Sequence, residues 1–145
     1  MSEPTYGKAR GSDYDFFTDN KIATRKLEND LIKIVTTALN ANVYLIDSFY
    51  TILSGESVVE KHCHMNRLDR LKDLGIGENK YSLVYYLMSG DQDCLDPGAL
   101  RLYSPDENIL PFDGMIILFP ASRYHSVKYN GQKDRVIIGV NFYCI

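Results

Sequence analysis

The sequence is poor in the residues that usually form disulfides or bind metals. Among 145 residues there are only three cysteines and three histidines. The cysteines, Cys63, Cys94 and Cys144, are widely separated and form no CxxC pair. Neither a disulfide framework nor a thiolate zinc site is therefore indicated, and a reducing compartment fits this usage best. Any chemistry that needs an imidazole must depend on the few histidines.

Long hydrophobic runs and an excess of one charge are also missing. The longest purely apolar run, residues 115–119, is far too short to cross a bilayer, and the first twenty residues contain charges where a signal peptide needs an apolar stretch. Sixteen basic and nineteen acidic residues give a net charge of −3, which argues against a dominant nucleic-acid or membrane partner. We expect a cytoplasmic protein.

The pattern along the chain predicts three regions. Residues 1–18 are rich in glycine, serine and charge without an apolar period, which predicts a loose arm. Over residues 19–41 apolar residues recur at helical spacing, so we expect one amphipathic helix with Thr18 or Asp19 as its N-cap. From 42 to 145, short β-rich segments alternate with turn residues.

The β-rich region predicts a sandwich or open barrel of antiparallel strands, because no helices separate its segments. We favour a mainly β jelly roll, the double-stranded β-helix of cupin-like proteins, supported by the N-terminal helix. One interruption, residues 66–77, has Leu68, Leu71 and Leu74 spaced by three, which predicts a short helical insertion beside a histidine pair. The length suits one hydrophobic core, so residues 1–145 are expected to form a single domain.

Two of the three histidines are spaced to share a metal ion. His62 and His64 are two apart in a predicted strand, so their side chains point to one face, and Glu60 belongs to the same face. The third, His125, follows a predicted buried strand and a short loop. Histidine is the commonest metal ligand at neutral pH, so three converging imidazoles would form a metal site. Taken alone, the pair is equally compatible with two hydrogen-bonded histidines on a sheet surface.

The last predicted strand has one face that suits a ligand cavity. Its opposite face is apolar, whereas this one consists of Arg135, Ile137, Gly139 and Asn141. A buried arginine is costly unless an anion meets it, and its planar fork matches a carboxylate in two hydrogen bonds. We therefore expect Arg135 to bind an anionic ligand and Asn141 to line the cavity. An exposed arginine at a strand start is the alternative.

Several sequence blocks together resemble a known family. In order, they are HxH, KYSLVYYL, DPGALRLYSP, LPFDGMIILFPASRYHSV and DRVIIGVNFY, and they lie between residues 45 and 145. Their order and spacing resemble the iron(II)- and 2-oxoglutarate-dependent oxygenase superfamily, closest to its prolyl 4-hydroxylase-like branch. The resemblance implies a dioxygenase that uses Fe(II), 2-oxoglutarate and O₂ to hydroxylate an unactivated C–H bond. The implied substrate is a prolyl or other peptidyl residue, or a small molecule.

The resemblance also implies roles for single residues. In the family, an HxD or HxE pair and a later histidine hold the iron, and these positions match His62, His64 and His125. The basic residue some ten positions beyond the last histidine binds the far carboxylate of 2-oxoglutarate, which corresponds to Arg135. The second tyrosine of the YYL segment, here Tyr86, reaches the same carboxylate in the prolyl hydroxylase-like branch.

A tyrosine on the strand that precedes the histidine pair lines the pocket of some family members. In this chain the matching candidate is Tyr50, which would join Asn141 as a cavity-lining residue. Plain packing in the hydrophobic core is an equally good explanation for Tyr50.

One position departs from the family pattern, because His64 stands where the family has a carboxylate. Either three histidines bind the metal, or the register is shifted so that Asn66 or Asp69 occupies the acidic position, or Glu60 supplies the charge. We favour the three histidines, because they need no special loop geometry. A missing carboxylate should weaken the binding of Fe(II).

Two other functions are compatible with the sequence. One is a cupin-like three-histidine metalloenzyme that does not use 2-oxoglutarate. The other is a non-catalytic jelly-roll binding module that kept the pocket after losing the carboxylate. Arg135 distinguishes them from an oxygenase, because only the oxygenase needs a cation to hold the cosubstrate.

Overall fold

The computed structural model describes residues 4–12 and 14–145, which contain one α-helix and ten strands. The helix α1 spans Ile22–Leu39, and among the described residues no helix is long and apolar enough to cross a membrane. The strands are β1 (Thr5–Gly7), β2 (Arg10–Gly11), β3 (Val43–Leu53), β4 (Ser57–His62), β5 (Lys80–Met88), β6 (Pro97–Leu102), β7 (Glu107–Ile109), β8 (Ile116–Pro120), β9 (His125–Tyr129) and β10 (Arg135–Cys144).

The strands form a jelly roll of two antiparallel five-stranded sheets. The sheet with the longer strands, which we call the larger sheet, has the order β2-β3-β10-β5-β8. The other, which we call the smaller sheet, has the order β1-β4-β9-β6-β7. In the larger sheet β10 lies at the centre and pairs with β3 and β5 along almost its whole length. The predicted fold class, a mainly β jelly roll with a supporting helix, is confirmed.

The larger sheet is buried on both faces, which explains why its strands are apolar on both sides. Its inner face packs against the smaller sheet, and its outer face packs against α1. On β10 the two faces alternate as the sequence predicts: Ile137 faces inward, whereas Ile138, Val140 and Phe142 pack toward the helix. The inner face is therefore the one that also holds the polar residues of the candidate site.

The amino-terminal region is more regular than the sequence suggests. Where a loose arm is expected over residues 1–18, β1 pairs with β4 and β2 pairs with β3, and a short 3-10 helix follows at Phe16–Thr18. These strands are too short to show a pattern of their own, and the partner strands order them. Residues 1–3 and 13 lie outside the described residues. The helix begins after Lys21, which replaces the expected N-cap, and no side-chain cap bond forms there.

The insertion at residues 66–77 contains turns and 3-10 helices rather than one helix. Lys72–Leu74 and Gly77–Asn79 are the 3-10 segments. A spacing of three suits this tighter helix, in which residues i and i+3 lie above one another. The three leucines of the segment are about half exposed, so they contribute little core that could stabilise a longer helix.

Candidate functional site

Two histidines come together because their strands are paired. His62 is the last residue of β4 and His125 the first of β9, and they are direct partners in the register of the smaller sheet. The register shifts between Val59 and His62, so a bulge lets the side chains of Val59 and His62 both point inward although they are three residues apart. The ring centroids of His62 and His125 are 4.2 Å apart.

His64 reaches the same point from beyond the end of β4. Its backbone N–H donates to the carbonyl of Ala121 at 2.9 Å, just after β8, and the N–H of Ala121 donates to the carbonyl of Lys80. This backbone chain ties the segment after β4 to the edge of the larger sheet. The His64 ring consequently lies 4.9 Å from that of His62 and 5.0 Å from that of His125.

The three imidazoles form a cluster that could hold a metal ion. One ligand atom of each residue lies within 4.8 Å of the others, and the Nε2 atoms of His64 and His125 are 3.3 Å apart. His125 is buried, and His62 and His64 are half-buried. Within residues 4–12 and 14–145 no carboxylate belongs to this cluster. Three neutral nitrogen donors suit a transition-metal ion such as zinc, copper, iron or nickel.

Backbone carbonyls orient two of the three rings. Nδ1 of His62 lies 2.7 Å from the carbonyl oxygen of Glu60, and Nδ1 of His125 lies 3.3 Å from that of Arg123. Because a carbonyl only accepts, these contacts place a proton on each Nδ1, and the neutral ring then keeps its lone pair on Nε2. The two contacts therefore favour the tautomer that a metal ligand needs.

The third ring has a different neighbour. Nδ1 of His64 lies 3.4 Å from the side-chain nitrogen of Asn141, which is long for a hydrogen bond. Asn141 is itself held firmly, because its amide donates to Asp47 and accepts from the Ser82 hydroxyl, both at 2.7 Å. His64 thus lies against an amide fixed by a carboxylate, and its tautomer is less constrained than those of His62 and His125.

Aromatic rings enclose the cluster. Phe49 stacks against His64, and Phe119 meets His125 edge-on, with ring centroids 5.9 Å and 5.0 Å apart. Phe49 has its place because Gly139 on β10 lacks a side chain; a Cβ there would come within 2.2 Å of the phenyl ring. We call these three histidines together with Asn141 the histidine end of the inner face.

Arg135 lies farther along the same face of β10, and its side chain is 2% exposed. Its guanidinium carbon is 5.1 Å from the ring centroid of Tyr86, which is fully buried on β5. A Cβ on Gly98 would come within 2.7 Å of Arg135 Cδ, and Gly98 has a φ of +78° that few other residues adopt. The arginine is therefore seated by close packing.

Tyr129 completes this second cluster. Its hydroxyl donates to the carbonyl of Lys133 and accepts from the N–H of Asp91, and Gly90 and Gly131 leave room for its ring. Burial is the largest of the effects that raise the pKa of this phenol. We call Arg135, Tyr86 and Tyr129 the arginine end of the inner face.

A buried ion pair anchors the segment that follows His64. Lys80 Nζ and Asp69 Oδ2 are 2.7 Å apart, with side chains 3% and 0% exposed. Tyr143 donates to the other oxygen of Asp69, and Asn66 and Asp69 exchange hydrogen bonds between side chain and backbone. Burial, the largest effect, would raise the pKa of Asp69, but these hydrogen bonds together hold that pKa below 3.8.

None of the three side chains proposed to replace the missing carboxylate is free to bind a metal ion in the histidine cluster. Asp69 uses both oxygens on Lys80, Tyr143 and the backbone of Asn66, so it is not a ligand, and Asn66 is occupied with Asp69. Glu60 is exposed, because the bulge in β4 turns it away from the inner face. The expectation that Glu60 shares a face with the histidines is therefore wrong.

Tyr50 is also placed differently from the expectation. It belongs to the cluster on the helix side of the larger sheet and meets Phe16 and Tyr14 edge-on. Strand alternation explains the correction, since Phe49 faces the histidines and its neighbour must face α1. The other predicted site residues, His62, His64, His125, Asn141, Arg135 and Tyr86, all lie on the inner face.

Several residues that shape the site are not among the predicted site residues. Ser82 and Lys80 alternate with Tyr86 on β5, so the strand period is a signal for both. Asp47 and Tyr129 have no motif around them that points to the site, and Gly98, although it lies in the DPGALRLYSP block, gives no sign there that it borders Arg135. Their contribution becomes visible only when distant strands are paired.

Comparison with solved structures places the fold. A 2OG-Fe(II) oxygenase family oxidoreductase from Burkholderia pseudomallei is 13% identical, with a TM-score of 0.63 over 86% of this chain and 58% of that one. A viral collagen prolyl hydroxylase from Paramecium Bursaria Chlorella virus-1, solved with 2-oxoglutarate, is 11% identical, with a TM-score of 0.71 over 94% and 80%. HygX from Streptomyces hygroscopicus, solved with nickel and 2-oxoglutarate, is 16% identical, with a TM-score of 0.70 over 96% and 72%.

No protein-family model and no curated protein matches the sequence. The chain spans less than two thirds of the Burkholderia pseudomallei protein's length. At these identities the comparison concerns architecture, and it confirms the resemblance found in the sequence at that level. The chain therefore has the fold of the 2OG-Fe(II) oxygenases and prolyl hydroxylases.

Proposed function

We propose that this protein is an Fe(II)- and 2-oxoglutarate-dependent dioxygenase that hydroxylates an unactivated C–H bond, with a prolyl or other peptidyl residue as its substrate. The observation that supports it most is that one inner face holds both a three-histidine cluster and a buried arginine. A cupin-like metalloenzyme needs the first of these features but has no use for the second.

The donor set fits a divalent transition metal. His62, His64 and His125 would hold it through Nε2, and backbone contacts favour the required tautomer in two of them. Bound iron would supply the oxidation, in which 2-oxoglutarate, O₂ and the substrate C–H become succinate, CO₂ and the hydroxylated substrate, with one atom of O₂ in succinate and the other in the hydroxylated substrate. Because the three ligands are neutral, the protein does not offset the charge of the ion, and we expect weaker iron binding than in relatives with a carboxylate ligand.

The arginine end would orient the cosubstrate. Arg135 would hold the far carboxylate of 2-oxoglutarate through two hydrogen bonds, with the Tyr86 ring beside the guanidinium. Phe49 and Phe119 shield the imidazoles from water. Two solved structures of the same fold, the viral collagen prolyl hydroxylase and HygX, contain 2-oxoglutarate, which is consistent with this use.

The test is a calorimetric titration of 2-oxoglutarate into the Ni(II)-loaded protein. We expect one site whose affinity falls at least about 30-fold in Arg135→Gln, because losing one partner of a buried charge pair costs about 2–5 kcal/mol. Ni(II) binding should stay unchanged in this variant. Arg25→Gln, which removes an exposed arginine on α1, is the matched control. Equal 2-oxoglutarate affinity in wild type and Arg135→Gln would contradict the proposal.

Turnover separates the remaining functions. With Fe(II), O₂ and a pool of proline-containing peptides, we expect succinate to form and a peptide to gain the mass of one oxygen atom. Metal binding without any 2-oxoglutarate binding would indicate the cupin-like enzyme. Absence of both metal and 2-oxoglutarate binding would indicate a non-catalytic binding module.

A further inference from the structure

Two pockets lie beside the strand ends that hold His62 and His125, and because they share a lining residue we call them together the groove. It consists of two adjoining pockets of about 280 Å³ and about 150 Å³ that share Ser122. Lys61, which precedes His62, and Tyr124, which precedes His125, line the first pocket, and Arg70 lines the second. A polypeptide lying in this groove would pass close to the ligand-bearing strand ends.

The groove contains two cations that have no carboxylate partner within residues 4–12 and 14–145. Lys61 Nζ lies 4.2 Å from the ring centroid of Tyr103 and 5.7 Å from that of Tyr124. The Arg70 guanidinium contacts Cys63 Sγ at 3.4 Å and the side chain of Tyr124. Among the described residues, no carboxylate forms an ion pair with Lys61 or Arg70. Two cations are thus held on aromatic and sulfur surfaces in a chain of net charge −3.

Other charges near the groove are already balanced. Arg123 is paired with Glu107 at 2.7 Å, and Asp69 with Lys80. In the described part of the chain, only Lys72 and Glu78 add further charges to the lining, one of each sign. These described lining residues therefore carry a net positive charge that comes from Lys61 and Arg70.

The wall of the groove is anchored to the core and partly apolar. Asp69 fixes it from inside through Lys80 and Tyr143, and a Cβ on Gly77 would come within 2.1 Å of the Asp69 carbonyl oxygen. Leu71, which is 47% exposed, stands on this wall. A surface that needs no ordering on binding loses less affinity to entropy.

Resting on the proposed function, we infer that this groove binds an acidic segment of the polypeptide substrate. Substrate carboxylates would meet Lys61 and Arg70, and an apolar substrate side chain would meet Leu71. A nucleic acid fits less well, because it needs a continuous basic stripe, whereas Lys61 and Arg70 are two separate cations and Arg123 is paired with Glu107. The substrate class is thus acidic, proline-containing peptide.

The test measures peptide binding without turnover. Fluorescence anisotropy measures the binding of three degenerate peptide pools, each with a central proline, to the Ni(II)-loaded protein. The acidic pool is rich in Asp, Glu and Leu. The amide pool has Asn and Gln in place of the acids, and the third pool is rich in Lys. We expect the acidic pool to bind about tenfold more tightly than the amide pool, and the double variant Lys61→Glu, Arg70→Glu to lose that difference. The matched control reverses two exposed charges on α1, Arg25→Glu and Lys33→Glu.

Thermal unfolding of both double variants checks that they are folded, which we expect because all four side chains are exposed. Equal binding of the acidic and amide pools, no binding of any pool, or an unchanged preference in the Lys61, Arg70 variant would overturn the inference. Tighter binding of a single-stranded oligonucleotide than of the acidic pool would also overturn it. If the wild-type protein does not bind 2-oxoglutarate but still prefers the acidic peptide pool, the proposed function is contradicted and the inference about the groove stands.

Discussion

At the histidine end of the inner face, hydrogen-bonded and ion-paired side chains hold one another in place and one glycine, Gly139, makes room for Phe49, whereas at the arginine end three glycines make room for large side chains. Asn141 is fixed by Asp47 and Ser82, and the segment after His64 is fixed by the ion pair of Asp69 with Lys80. The difference teaches that two halves of one site can fail for different reasons. The histidine end should respond to changes of charge and the arginine end to changes of volume.

The largest effect is expected when the buried ion pair is broken. Asp69→Ala leaves the Lys80 ammonium buried without its partner, which should lower the free energy of unfolding by about 3–5 kcal/mol. Urea denaturation measures this. The control is Asp106→Ala, which breaks an exposed pair with Arg101 and should cost less than about 1 kcal/mol. Similar losses in both variants would contradict the role of the pair.

The same ion pair makes the stability of the protein depend on pH. The pKa of Asp69 is lower in the folded protein than its ordinary value of 3.8, so the unfolded chain takes up the proton first. Its contribution is complete above that value and is lost as the pH falls toward the folded pKa. The stability difference between wild type and Asp69→Asn should therefore shrink below about pH 4. A difference that stays constant down to pH 3 would contradict this assignment.

At the arginine end the addition of a single methyl group should be enough to weaken the binding of 2-oxoglutarate. Gly98→Ala would place Cβ against Arg135 Cδ and Nε, which displaces the guanidinium. Gly114→Ala is the matched control, because Gly114 has a φ of +85° but nothing within 4 Å of the added atom. Both should lose about 1–2 kcal/mol to backbone strain. Only Gly98→Ala should also weaken 2-oxoglutarate binding, by about tenfold or more, and equal binding in the two variants would contradict the packing argument.

The smallest expected effect is a gain in metal affinity at the histidine end. Exchanging the two partners in the double variant Asp47→Asn, Asn141→Asp keeps their mutual hydrogen bond but places a carboxylate against Nδ1 of His64. A carboxylate there favours the tautomer that binds metal through Nε2, so Ni(II) affinity should rise about tenfold. Asp47→Asn alone is the control and should not produce this gain. Unchanged or weaker affinity in the double variant would show that the Asn141 contact does not tune His64.

Much of this architecture could be predicted from local pattern. The long strands β3 and β5 lie in the region that the sequence predicts to be β-rich, because long strands repeat their alternation often enough to be recognised. The inward face of β10, with Arg135 and Asn141, also follows from alternation alone. His62, His64 and His125 could be grouped because the family resemblance supplied the pairing of distant strands.

The errors arise where one residue breaks the alternation or where both faces look alike. The bulge before His62 is invisible in the sequence, so strand alternation alone predicts the wrong face for Glu60. β3 is apolar on both faces, which left the side of Tyr50 undecided until the pairing was known. The arginine pocket depends on Gly98, whose partner is 37 residues away in the chain. Such contacts depend on tertiary structure and leave no local pattern.

We propose that three histidines hold the metal without a carboxylate while Arg135 holds 2-oxoglutarate. The decisive measurement is a crystal structure of the protein loaded with Fe(II) and 2-oxoglutarate under nitrogen. We expect a metal ion at about 2.0–2.2 Å from Nε2 of His62, His64 and His125, with the far carboxylate of 2-oxoglutarate bound to Arg135 through two hydrogen bonds. A metal ion bound without His64, or a cosubstrate whose carboxylate lies away from Arg135, would contradict it.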